Sequence, residues 1–80
     1  MKIMLLDKIN FLARLLNSHN TIEFQYNNFY YEIFESVESG YIVNLYSNNI
    51  KDEDGNYFDK YIVDGGLCTG SAKEAIKFML

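Results

Sequence analysis

Apolar positions along this chain change their spacing twice, and each change marks a new kind of element. From Ile3 to about Asn17, Leu5, Ile9, Leu12, Ala13 and Leu16 recur at three and four, which predicts an amphipathic α-helix whose stripe Phe11 and Leu15 widen. Asp7, Lys8, Asn10, Arg14 and Asn17 fill much of the remaining surface, and "NSHN" at 17–20 suits the turn after a helix.

The spacing then falls to two. In "TIEFQYNNFYYEIFE" (21–35), a two-residue turn at Asn27 and Asn28 pairs Tyr26 with Phe29, Phe24 with Tyr31, and Ile22 with Ile33. All six then share one face, whereas a slip of one residue would scatter them over both. Glu23, Gln25, Tyr30, Glu32 and Phe34 fall on the other face, with Glu23 opposite Glu32. "VESG" (37–40) turns the chain into "YIVNLY" (41–46), a third strand of β-branched and aromatic residues. A polar, glycine-bearing stretch follows, then "KYIVD" (60–64), a short candidate fourth strand. Helical spacing returns with Ala72, Ala75, Ile76, Met79 and Leu80.

This order predicts a single α+β domain over residues 1–80. It is α-β-β-β-(β)-α, an antiparallel meander of three or four strands with the N- and C-terminal helices packed on one face. Composition agrees: 49% hydrophobic and 16% aromatic residues exceed what a disordered chain carries. One cysteine, Cys68, forms no internal disulfide and no multi-cysteine zinc site, which points to an intracellular, cytoplasmic home. The apolar run Ile3 to Leu6 is too short for a signal sequence or a membrane span, so no membrane role is expected and the whole chain is the expected mature protein.

Four stretches invite chemistry. "GGLCTGSAKEA" (65–75) spaces Gly65 and Gly70 like a phosphate-binding loop, but Ser71 stands in the lysine position and Ala72 in the hydroxyl position. Ser71 and Glu74 read instead as a capping box at a helix start. "DEDGNYFD" (52–59) suggests calcium, yet aligning Gly55 with the EF-hand glycine places Ile50 and Tyr61 at two ligand positions; an ordinary turn loop is the simpler reading. His19 and Cys68 are the sole residues of their types, suited to a post-helix turn and to a small buried hydrophobe. Glu23, Glu32 and Glu35 lack a pocket-forming partner for acid–base work. The expectation is therefore a protein that is not an enzyme, with no catalytic residues, cofactor or metal.

Charge layout says more than the total of −4. Residues 1–20 net plus two, and 65–80 net plus one. Between them nine acids stand against Lys51 and Lys60, a net of minus seven. The order helix, three strands, helix, together with "GSAKEAIK" (70–77), resembles double-stranded-RNA-binding domains, which would imply nucleic-acid binding. Only Lys73 and Lys77 stand where that family clusters lysines, and the acidic middle repels phosphate, so direct nucleic-acid binding is not the expectation.

An acidic sheet interleaved with aromatics suits the opposite role. Glu23, Tyr30, Glu32, Phe34, Glu35 and Tyr46 are the expected partner-binding residues. The expected partner is a protein with a basic surface, such as the nucleic-acid groove of an enzyme that this chain inhibits by imitating a polyanion. In size and charge the chain is similar to small acidic inhibitors carried by phages and mobile elements. Alternatively, the surface only keeps the domain soluble, or a homodimer pairs the second sheet faces or an edge strand.

Overall fold

A computed structural model describes residues 6 to 80. The elements are α1 (Leu6–Asn17), β1 (Ile22–Tyr26), β2 (Phe29–Glu35), β3 (Tyr41–Tyr46), a 3-10 turn (Asp59–Tyr61), β4 (Ile62–Cys68) and α2 (Ala72–Lys77). The four strands form one antiparallel sheet in the order β1-β2-β3-β4, so the fold is the α+β meander that the spacing predicts. Ile3 and Leu5, read as the first turn of the helix, lie outside the described residues.

The β1–β2 hairpin forms in the expected register, with Ile22 opposite Ile33, Phe24 opposite Tyr31 and Tyr26 opposite Phe29. Asn27 and Asn28 supply the positive φ values (53° and 68°) that a tight two-residue turn demands. Ile22, Phe24, Tyr31 and Ile33 are buried, and Tyr26 and Phe29 pack on the margin of the same core. Phe24 and Tyr31 stack with centroids 4.8 Å apart and planes 8° from parallel. Val43 and Leu45 of β3 extend this face, and Ile9, Leu12, Ala13 and Leu16 of α1 close over it with Ala72, Ala75 and Ile76 of α2. Each fully buried Leu or Ile contributes about 1.5–3 kcal/mol, which makes this shared layer the main source of stability.

Two details of α1 and β4 depart from the sequence reading. Phe11 does not join the core and is more than half exposed, because the helix turns that position outward, while Leu15 is only half-buried. The fourth strand runs from Ile62 to Cys68 rather than over 60–64. Residues 59–61 are wound into the 3-10 turn by the Tyr61 amide donating to the Phe58 carbonyl. Gly65 and Gly66, read as part of a helix entrance, stay extended because they pair with Asn44 and Val43. A side chain at Gly66 would lie 3.0 Å from the Phe78 ring, so its absence lets the end of α2 settle onto the sheet. Tyr31 secures that end by donating its hydroxyl to the Met79 carbonyl at 3.0 Å. At the other end of α2 the Ser71 hydroxyl accepts from the Glu74 amide and the Glu74 carboxylate accepts from the Ser71 amide, the reciprocal cap expected.

Candidate functional site

Both helices cover the same face of the sheet, so strand alternation sends the other residues to the reverse face. Register builds that face in rows. Glu23, Glu32, Asn44 and Gly65 form one; Gln25, Tyr30, Tyr46 and Ile62 form the next; Phe34, Ile42 and Leu67 form a third.

Two carboxylates directly opposed, Glu23 and Glu32, would repel each other on a bare strand pair. Neighbours relieve the repulsion. Asn44 Nδ2 and the Tyr46 hydroxyl both donate to Glu32 Oε1, at 3.3 and 3.1 Å. Lys51 donates its ammonium to Glu23 Oε1, an ion pair that raises the lysine pKa. Lys51 arrives there because the loop after β3 folds back over the sheet as a small hairpin, with Lys51 bridged to Tyr57.

That loop also brings Tyr57 onto Tyr46, with ring centroids 4.7 Å apart, and the Lys51 ammonium lies 4.9 Å from the Tyr57 ring centre. Both tyrosines are buried by this contact. Burial, and then the charge of Glu32, pushes the Tyr46 phenol up to about 12. Burial and the Glu23 carboxylate raise Tyr57 as well.

Sheet and loop together enclose an open groove of about 970 Å³. Glu23, Glu32, Phe34 and Asn44 line its floor, and Asp52, Tyr57, Phe58 and Asp59 line its wall. Among the described residues Lys60 is the one cation in the lining, and its ammonium is held over the rings of Tyr61 and Phe58 at 5.1 and 5.6 Å. Four carboxylates thus surround a slot walled by aromatic rings.

Of the residues expected at a partner surface, Glu23, Glu32, Phe34 and Tyr46 meet in this groove. Tyr46 belongs to its buried floor, 4% exposed beneath Tyr57. Tyr30 sits beside Tyr46 on the same face, half-buried and outside the lining. Glu35 falls on the helix side of the sheet, opposite Tyr41, where it meets His19 Nδ1 at 2.5 Å. Asp52, Tyr57, Phe58 and Asp59 were not anticipated. The available signal was the pair Tyr57–Phe58, apolar in an otherwise polar loop, whose rings need something to cover.

The other chemical candidates resolve locally. Asp52 Oδ1 accepts from the amides of Asp54 and Asn56 at 2.9 and 3.0 Å, closing a turn that Gly55 completes. Among the described residues no group of three or more His, Cys, Asp or Glu is placed to hold a metal ion. Cys68 lies in the hydrophobic core, and Gly65 lies within β4 rather than in a phosphate-cradling loop.

No protein-family model, curated protein or solved structure matches the chain. Among the described residues, no helix is long and apolar enough to cross a membrane.

Proposed function

We propose that this protein is a binding module that seats its acidic groove on a basic surface of a partner protein. The observation that carries this reading is the convergence of Glu23, Glu32, Asp52 and Asp59 on one slot with aromatic walls. Carboxylates there meet lysine or arginine heads, while Phe34 and Phe58 offer ring faces to their stems and to guanidinium planes. A surface evolved to hold phosphates presents such cations in a row, so the fitting partner is a nucleic-acid-processing enzyme whose groove is blocked by a protein standing in for the polyanion. In size and charge this chain is similar to small acidic inhibitors encoded by phages or mobile elements.

Charge reversal tests it. Asp59→Lys with Glu23→Gln should abolish binding to a basic groove and leave the fold intact, since Asp59 is exposed and a glutamine can still accept from Lys51. Wild-type binding should weaken steeply as salt rises. Unchanged binding by the reversed protein would remove the groove from the account. Retention of the wild type on RNA or DNA would favour the nucleic-acid-binding alternative, for which Arg14 and Lys73, facing one cleft between the helices, are the available cations.

A further inference from the structure

The two edges of the sheet are unlike. β1 is five residues long and points Glu23 and Gln25 outward from the covered face, the charged and polar dress of a guarded edge. β4 is seven residues long, carries one charge, Asp64, and among the described residues has no strand beside it other than β3. Ile62, Val63 and Leu67 on it are about half exposed, at 45%, 52% and 48%. Phe78, lying against Gly66, adds one more exposed apolar side chain beside the same strand. Four of the nine exposed large hydrophobic side chains among the described residues are thus gathered at the β4 edge, the others standing apart at Leu6, Phe11, Val37, Ile50 and Leu80.

The backbone of this edge is occupied in an unusual way. The Gly65 amide donates to the carboxylate of its neighbour Asp64 at 2.8 Å. Ser36 bonds to Gly40 across the β2–β3 pair, so by alternation Asn44 serves β2, and Gly65, opposite Asn44, turns its amide to the open side, where Asp64 covers it. We propose that β4 is a self-pairing edge. A second copy of this chain docks antiparallel along it about a two-fold axis at Gly65, and Asp64 is the gate that the pairing displaces.

Self-complementarity selects the second copy as occupant. An antiparallel strand pair with a two-fold axis normal to the sheet must oppose one residue to itself. With Gly65 at that position, Asp64 faces a glycine, so no like charges are opposed. Val63 faces Leu67 of the second copy, joining apolar side chains that are half exposed in one copy. The helices of both copies remain on one side, which brings the two Phe78 rings toward the axis and leaves both acidic grooves open on the other side. This pairing is independent of what the groove binds.

Sedimentation over a concentration series from about 1 µM to about 1 mM reads it directly. Wild type should show a monomer–dimer equilibrium, Asp64→Ala should tighten it about tenfold by freeing the Gly65 amide, and Val63→Lys with Leu67→Lys should weaken it at least tenfold. Circular dichroism checks that the lysine variant folds. If it does not, the Gly65 amide in wild type provides the second reading, and its hydrogen exchange should slow as concentration rises. Monomeric wild type and Asp64→Ala throughout the range would overturn the proposal. So would a dimer indifferent to the lysines, or Gly65 exchange indifferent to concentration.

Discussion

Tyr46 donates its hydroxyl to Glu32 Oε1 at 3.1 Å, tying a buried phenol in the third strand to a carboxylate of the second on the sheet face opposite the helices. The contact fixes Glu32 in place at the groove floor and keeps its charge there, because a fixed carboxylate needs less reordering when a cation arrives. Tyr46→Phe removes one donor and nothing else of the side chain's volume. It should cost about 1 kcal/mol in chemical denaturation, the usual net worth of such a hydrogen bond. A loss below a few tenths would mean that the phenol and carboxylate are indifferent to each other.

The same phenol sets an alkaline limit. Its pKa lies at about 12 in the folded protein against an ordinary 10.0. Tyr31 and Tyr57 are also raised, chiefly by burial. Unfolded chains therefore lose these protons first. The stability that this difference represents is complete below about pH 10 and is lost as pH climbs toward 12, at up to about 1.4 kcal/mol per pH unit for Tyr46 alone. Denaturation midpoints measured across that range should fall, and Tyr46→Phe should flatten the slope.

Gly40 and Gly55 offer a controlled comparison of turn sites. Both have positive φ, 78° and 82°, so alanine at either position pays the left-handed backbone penalty of about 1–2 kcal/mol. Only at Gly40 does the new Cβ meet the Cys68 carbonyl oxygen, at 2.5 Å; at Gly55 nothing lies within 4 Å. Gly40→Ala should therefore destabilise distinctly more than Gly55→Ala in thermal melts. Equal losses would show that the Gly40 loop relaxes freely away from β4.

Ser71→Ala should cost about 1 kcal/mol, because α2 is a single short helix whose entrance depends on the reciprocal bonds between Ser71 and Glu74. Amide exchange at Glu74 should accelerate in the same variant, which separates loss of the cap from a general loosening of the core.

Legibility in the sequence followed the scale of the forces. The β1–β2 register could be read because six apolar residues at period two must share one side, and two asparagines are among the few residues that accept the turn's backbone angles. The capping box was legible because its partners are three residues apart. The sequence pattern makes β4 too short, since glycines signal turns locally and only pairing with β3 and the approach of Phe78 keep Gly65 and Gly66 extended. Much of the groove wall escaped for a related reason. Nothing near Tyr57 in the sequence announces that its ring will lie on Tyr46, a contact created by the return of the loop across the sheet. Glu35 illustrates the reverse case, an acid near the others in sequence that alternation sends to the helix side.

Mapping a cationic ligand onto the backbone amides tests the central claim most directly. An arginine-rich peptide titrated into isotopically labelled protein should shift amides at Glu23, Glu32, Asp52 and residues 56–60, while α1 and α2 stay still. Shifts spread evenly over every exposed acid, or gathered at Glu35, Glu38 and Glu74 instead, would contradict it.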